Sequence, residues 1–97
     1  MDDRYAVSPE EREKIIKGAF QSLEPLVLKA IPPKQKKKAV VLERIAEELE
    51  PGRRYTEKEI NELLKAIHSD YVFLRRYLIE FGFMDRERNC SFYWKKG

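Results

Sequence analysis

Prolines and glycines break this chain into short segments, and no other property of the sequence limits the fold as strongly. The breaks fall at Pro25, Pro32-Pro33, Pro51-Gly52 and Gly82. Proline removes a backbone donor, and glycine tolerates the left-handed conformation that often ends a helix. No segment approaches the ~18 or more apolar residues that a membrane span needs. We therefore expect the 97 residues to form one small domain that is built from short helices and strands.

The first segment predicts an amphipathic helix that begins at Pro9. Ser8 is a preferred N-cap, proline suits the first helical position, and Glu11 lies three residues after the cap. The helix is expected to end near Glu24, because Pro25 cannot continue the hydrogen-bond ladder. Its apolar residues recur at helical spacing and form one stripe, which is Ile15, Ile16, Ala19, Phe20 and Leu23.

Pro32-Pro33 predicts a boundary, because it breaks the short apolar stretch Leu26–Ile31. We therefore expect residues 1–33 to form an N-terminal helix and connector, and residues 34–97 to form the main domain. That domain opens with a second helix, which Pro51-Gly52 ends. The expected buried face of the second helix consists of Leu42, Ile45 and Leu49, helped by Ala39, Val41 and Ala46.

The middle of the main domain predicts two helices joined by a tight turn. Arg53–Tyr55 suggests a short strand, and Thr56 with Glu59 then forms a capping box at the start of the third helix. Ser69 is a suitable cap for a fourth helix over Asp70–Phe81. Only about one residue separates the third and fourth helices, which is typical of a helix-turn-helix.

The C-terminal residues predict a β-hairpin after Gly82, because they are rich in aromatic β-formers and carry Asn89 at the expected tip. Tyr93 and Trp94 are expected to cover the helices. The order helix, short strand, helix, turn, helix, hairpin is that of a winged helix-turn-helix domain. The predicted fold class is mainly α with a small β-hairpin: a winged helix-turn-helix with an extra N-terminal amphipathic helix.

Several residues of the main domain also match a known pattern. They are Tyr55-Thr56-Glu57, Glu59, Asn61, Asp70, Leu74-Arg75-Arg76, Leu78, Arg86 and Tyr93-Trp94. In these residues the chain resembles the bacterial domain of unknown function 2087 over roughly residues 31–95. The resemblance implies a winged-helix-like fold in predicted transcriptional regulators, sometimes beside a separate DNA-binding helix-turn-helix domain. One departure is Asn89-Cys90-Ser91 at the hairpin tip, where a glycine is expected.

The fourth helix is the recognition helix if the domain binds DNA. At 100° per residue its buried arc is expected to contain Tyr71, Leu74, Leu78 and Phe81, with Val72 and Ile79 on one flank. Arg76 points away from this arc and can contact a phosphate or a guanine edge, or pair with Glu80. Arg75 lies at the edge of the arc, where we expect it to cover the core and pair with Asp70 or Glu57.

Two further basic groups are candidates for phosphate contacts. One lies at the start of the second helix and consists of Lys34, Lys36, Lys37 and Lys38. It can bind phosphate with its ammonium groups and backbone amides, or it is a solvated helix start balanced by Glu43, Glu47 and Glu48. The other is the wing, where Arg86 and Arg88 can contact a minor groove or its flanking phosphates, or keep an exposed edge soluble.

Composition excludes several functional classes. A single cysteine, Cys90, and a single histidine, His68, cannot form an internal disulfide or a Cys/His metal cluster. They lie on the predicted hairpin tip and interhelical turn with no orienting third group, so neither an enzyme nor a bound cofactor is expected. The N-terminus lacks the basic region and apolar stretch of a signal peptide, which predicts a cytoplasmic protein.

The net charge of +3 and a pI near 9.0 are compatible with a nucleic-acid partner. We therefore expect a transcriptional regulator that binds double-stranded DNA. The alternative is a protein–protein interaction module without DNA binding, supported by Phe73, Tyr77 and Glu80 on the outer side of the fourth helix. An exposed aromatic patch with dispersed lysines would favour that alternative, whereas a continuous basic stripe across the fourth helix and wing would favour DNA.

The apolar stripe of the first helix needs a partner. It can pack on the back of the second and third helices, or against the same stripe of a second chain across a two-fold axis. We favour the second arrangement and therefore a homodimer, which would place two recognition helices on one face of a duplex.

Overall fold

The structure is a computed structural model that describes residues 7–89 and 91–96. Within them lie four helices and five short strands. In chain order they are α1 (Pro9–Ala19), β1 (Phe20–Leu23), β2 (Leu26–Leu28), α2 (Gln35–Ala46), β3 (Arg54–Thr56), α3 (Glu57–Ile67), α4 (Tyr71–Glu80), β4 (Met84–Arg86) and β5 (Phe92–Lys95). The strands form two small antiparallel sheets, β1-β2 and β3-β5-β4.

Helix α1 begins as predicted but ends earlier. The Ser8 hydroxyl accepts a hydrogen bond from the Glu11 N–H at 3.2 Å. The backbone then becomes extended at Phe20, whose partner across the β1-β2 sheet is Leu28. The predicted helix to Glu24 is therefore wrong after Ala19, and the predicted connector contains a strand. Sheet pairing satisfies the backbone there, and the turn between the strands includes a cis peptide at Glu24–Pro25.

Helix α2 carries the predicted buried face but is shorter than expected. Leu42, Ile45 and Leu49 are at most 2% exposed. The helix ends at Ala46, and the Leu49 N–H still donates to the Ala46 carbonyl at 3.0 Å in the following turn. Gly52 then adopts a positive φ of 80°, which a side chain would disfavour.

The capping box of α3 is confirmed. The Thr56 hydroxyl accepts from the Glu59 N–H at 3.2 Å, and the Glu59 carboxylate accepts from the Thr56 N–H at 2.9 Å. The expected Ser69 cap of α4 is wrong, because Asp70 occupies the N-cap position and makes no side-chain capping bond. Instead the His68 Nδ1 atom accepts from the Asp70 N–H at 3.0 Å, which stabilises the turn between α3 and α4.

The C-terminal hairpin is confirmed, and β3 adds a third strand to it. Strand β5 is central, with Tyr55 opposite Tyr93 on one side and Arg86 opposite Tyr93 on the other. Tyr93 is 1% exposed and belongs to the core, as expected for a residue that covers the helices. At the tip the Asn89 side-chain oxygen accepts from the Ser91 N–H at 3.1 Å, while Cys90 lies outside the described residues.

One hydrophobic core joins residues from both sides of the boundary expected at residue 33. Ile16 and Phe20 from α1 and β1 belong to the same cluster as Leu64 of α3 and Leu74 of α4. The first segment therefore supplies part of the main core. No helix in the described part of the chain has the length and apolar character needed to cross a membrane.

Candidate nucleic-acid interface

A groove of about 440 Å³ lies between α4 and the β4-β5 hairpin. Its walls bring together Arg75 and Arg76 of α4 with Arg86 of β4, and they include the carboxylate of Glu80. The structure thus places two of the predicted nucleic-acid contacts, Arg76 and Arg86, at the same surface feature. These positions correspond to the recognition helix and the wing of the expected interface.

Arg75 holds α4 against α3 and the sheet. Its Nη1 atom donates to the Asn61 side-chain oxygen at 2.5 Å and lies 3.4 Å from a Glu57 carboxylate oxygen. Its guanidinium also lies 5.5 Å from the centre of the Tyr93 ring. With a side chain only 20% exposed, Arg75 has the structural position predicted for it, and of the two expected carboxylate partners it uses Glu57.

Arg76 lies on the outer face of α4 with its side chain 69% exposed. Its Nε atom donates to a Glu80 carboxylate oxygen at 3.0 Å, which is the pairing anticipated from the sequence. Because both side chains remain in solvent, this pair holds Arg76 weakly and leaves it accessible to a partner.

The same outer face of α4 is partly apolar. Phe73 is 46% exposed, as expected, but Val72 is 51% exposed, so its predicted place on the flank of the buried arc is wrong. Leu74 and Leu78 are the buried residues of α4, whereas Val72 faces solvent. Phe73 stacks on Tyr77 with ring centres 6.3 Å apart.

The β4-β5 hairpin, which the sequence predicted as a wing, carries Arg86 and Arg88, both exposed. Between them in sequence, Glu87 forms an ion pair with Arg54 of β3. Arg54 also lies about 5 Å from the Trp94 ring, so it connects β3 to the β4-β5 hairpin. Sequence reasoning missed Arg54, although the pairing of β3 with the hairpin would have placed it opposite Trp94.

The lysine cluster does not present four equivalent ammonium groups. Lys38 is only 9% exposed, and its Nζ atom lies 4.3 Å from the centre of the Tyr77 ring. Lys36 pairs with Glu11 of α1 at 3.0 Å. Lys34, Lys36 and Lys37 line a groove beside α1. The structure therefore separates Lys38 from the other three lysines of this cluster.

The carboxylates expected to balance these lysines have other partners. Arg12 of α1 lies 3.2 Å from a Glu43 oxygen and 2.9 Å from a Glu47 oxygen. Arg44 lies 3.7 Å from both Glu47 and Glu48. The expected balance of the lysine cluster is therefore incorrect, because arginines of α1 and α2 take these carboxylates.

The apolar stripe proposed for dimerisation is largely covered within the chain. Ile16 and Phe20 are 6% and 4% exposed and belong to the core, and Ile15 and Ala19 pack against it. Leu23 differs from these four residues because it lies in β1 and is 46% exposed. The stripe has thus found an intramolecular partner, while the association of two chains remains a prediction.

Among the described residues, no group of three or more His, Cys, Asp or Glu side chains could hold a metal ion. Hydrogen bonds from the Thr56 N–H and hydroxyl, together with Arg53, hold the pKa of Glu59 below its usual value of 4.5. This carboxylate belongs to the α3 cap and lies outside the groove between α4 and the hairpin.

No curated protein and no solved structure matches the chain. The profile of a family described as an uncharacterized protein conserved in bacteria, DUF2087, matches residues 27–95. That range begins in β2 and includes α2, α3, α4 and the whole β3-β5-β4 sheet, whereas α1 precedes it. With most of its length matched, the chain belongs to the DUF2087 family of bacterial proteins.

Proposed function

We propose that this domain is a winged helix that binds double-stranded DNA as part of a transcriptional regulator. The order α2, β3, α3, α4, β4, β5 and the sheet order β3-β5-β4 support the winged-helix assignment. The observation that carries the functional proposal is the shared groove of Arg76 and Arg86. In this groove a cation of the proposed recognition helix lies near a cation of the proposed wing.

The charges of this surface favour contacts with phosphates over contacts with bases. Arg76, Arg86 and Arg88 supply three cations, but Glu80 stands beside Arg76 and repels phosphate. Val72 and Phe73 offer no hydrogen bond to a base edge. We therefore expect an affinity for duplex DNA that depends strongly on salt and weakly on sequence.

Titration of the protein against a random duplex at several salt concentrations tests this proposal. The double variant Arg86→Ala/Arg88→Ala should make the slope of log affinity against log salt concentration shallower, by the equivalent of about two phosphate contacts. Lys17→Ala/Lys29→Ala removes the same charge from α1 and from the residue after β2, and should leave the slope unchanged. Absence of duplex binding at low salt would reject DNA binding, and equal effects of the two double variants would reject the β4-β5 hairpin as the binding site.

Exposed apolar residues on α4 favour a second function, that of a protein–protein interaction module. Val72 and Phe73 are about half exposed, and an aromatic row continues through Tyr77 to Phe81, whose ring centres are 6.4 Å apart. Desolvating Val72 and Phe73 against a partner would be favourable. Two results together would favour this function. Duplex DNA would not bind, and the variant Val72→Ser/Phe73→Ser would lose a protein complex that the variant Arg86→Ala/Arg88→Ala still forms.

A further inference from the structure

A second groove, of about 770 Å³, lies between α1, residues 29–34, which link β2 to α2, and the first turn of α2. Its volume is within the range of about 300–1,000 Å³ that is typical of sites for small molecules. The groove exists because the β1-β2 hairpin turns the chain back along α1 before α2 begins. It does not include α4 or the wing.

The floor of the groove is apolar. Ile15 and Ala19 contribute from α1, and Ile31 contributes from the linking segment together with Pro32-Pro33. Gly18 leaves the floor open, because a Cβ atom at this position would meet nothing within 4 Å. An alkyl or aryl group could therefore rest between α1 and the two prolines with its surface removed from water.

The rim of the groove is strongly cationic. Five lysines surround the floor, namely Lys14, Lys29, Lys34, Lys36 and Lys37. The rim also contains the carboxylate of Glu11, which lies 3.0 Å from Lys36. Within the described part of the chain no ion pair involves the other four lysines. Five ammonium groups thus face one carboxylate, and an anion would relieve their mutual repulsion.

The start of α2 adds backbone donors to this rim. Its N-cap is Lys34, which makes no side-chain capping bond, and its first turn contains no acidic residue. The first N–H groups of a helix lack partners within the helix, and the helix dipole favours an anion beside them. A carboxylate bound here would offset the unfavourable placement of the lysines at this helix end.

We propose that this groove binds a small organic anion with an apolar body, of the alkyl or aryl carboxylate class. The carboxylate contacts Lys34, Lys37 and the start of α2, and the apolar body lies on Ile15 and Ala19. This assignment gives Lys34 and Lys37 a role other than DNA contact. It does not depend on the function of α4 and the wing.

Calorimetric titration of the full chain with decanoate, below its micelle-forming concentration, tests the proposal. Decanoate should bind saturably with one molecule per chain. Decyltrimethylammonium, which has the same apolar chain and the opposite charge, should not bind. Saturable binding of the cation with similar affinity would overturn the proposal, because apolar contact alone would then explain binding, and so would an absence of saturation by decanoate.

Two variants separate the charge of the groove from its shape. Lys29→Gln/Lys37→Gln removes two rim charges, and Gly18→Leu fills the floor at an exposed helical position without changing a charge. Each should weaken decanoate binding about tenfold or more, which corresponds to at least ~1.4 kcal/mol. The control Lys58→Gln/Lys65→Gln removes the same charge from α3 and should leave binding unchanged.

The proposal fails if the control weakens binding as much as the groove variants do, or if none of the three variants changes it. It also fails if a short polyglutamate peptide saturates the groove while decanoate does not, because the occupant would then be an acidic peptide. Since no DNA is present in these titrations, failure of the DNA-binding proposal would leave their outcome unaffected.

Discussion

Two adjacent arginines of α4 differ in their expected effects because their environments differ. Arg75 contacts Asn61, Glu57 and Tyr93, whereas Arg76 contacts only exposed Glu80 among the partners described. Arg75→Ala should lower the free energy of unfolding by about 1–3 kcal/mol, and Arg76→Ala should change it by no more than about 0.5 kcal/mol. Urea denaturation of both variants measures this difference. Equal losses would contradict the assignment of the two faces.

Lys38 is expected to stabilise the fold rather than to bind a phosphate. Its ammonium group lies over the Tyr77 ring, and the residue is 9% exposed. A partly desolvated cation–π contact contributes about 1–2 kcal/mol. A double-mutant cycle with Lys38→Met and Tyr77→Leu should therefore give a coupling energy of that order in urea denaturation. A coupling near zero would show that the two side chains are merely adjacent.

At the scale of the element, the α3 cap should be sensitive to acid. The pKa of Glu59 is lowered, chiefly by the hydrogen bond from the Thr56 N–H, so folding favours the ionised carboxylate. Its contribution to stability is present above the usual pKa of 4.5 and is lost as the pH falls through the lowered value.

Comparison of the native chain with Glu59→Gln across this pH range tests the cap, because Gln keeps the side-chain shape and cannot ionise. The native chain should be more stable near neutral pH, and the difference should shrink as the pH falls below about 4.5. Thermal unfolding at each pH provides the measurement. A difference that stays constant with pH would rule out this carboxylate as the source of the acid sensitivity.

The helix ends that could be predicted from sequence are those marked by a local chemical signal. Thr56 and Glu59 locate the start of α3, and Gly82, with a φ of 81°, follows α4 as expected. The β1-β2 hairpin lacked such a signal, because Phe20 and Leu23 continue the helical spacing of α1. Short apolar segments on either side of Glu24–Pro25 were compatible with a hairpin, but only the pairing of Phe20 with Leu28 distinguishes it from a helix end.

The candidate sites depended even more on tertiary structure. A helical wheel separates Arg75 from Arg76, because both belong to one helix and their faces follow from its period. The wheel cannot show that Arg76 lies near Arg86, because their proximity depends on how the β4-β5 hairpin packs against α4. It also cannot show that Lys14 and Lys34 line one groove, because that groove forms only where the chain returns along α1, which the sequence did not predict.

At the scale of the whole molecule, α1 and the hairpin after it should stabilise the region from α2 to β5 directly. Phe20 is 4% exposed and lies in one core with Leu64 and Leu74. Phe20→Ala should lower the free energy of unfolding by about 3–5 kcal/mol, because it leaves a cavity in this core. Hydrogen exchange should accelerate in α3 and β5 as well as in α1. Acceleration confined to α1 would instead indicate that α1 unfolds independently of the rest of the core.

The oligomeric state tests how much of the α1 stripe remains available to a second chain. Leu23 is 46% exposed, whereas Phe20 is buried, so a charge at these two positions should have different consequences. Phe20→Asp places a carboxylate in the core and should unfold the chain. Leu23→Asp should fold normally and, if the predicted homodimer uses this surface, should dissociate it.

Sedimentation equilibrium of the intact chain and of Leu23→Asp, with circular dichroism to establish folding, separates these cases. A dimeric intact chain and a folded, monomeric Leu23→Asp variant would support association through the exposed end of the stripe. An intact chain that remains monomeric at micromolar concentrations and above would reject the homodimer. Unfolding of Phe20→Asp in either case would assign the inner part of the stripe to the core of the chain itself, because its burial does not require a second copy.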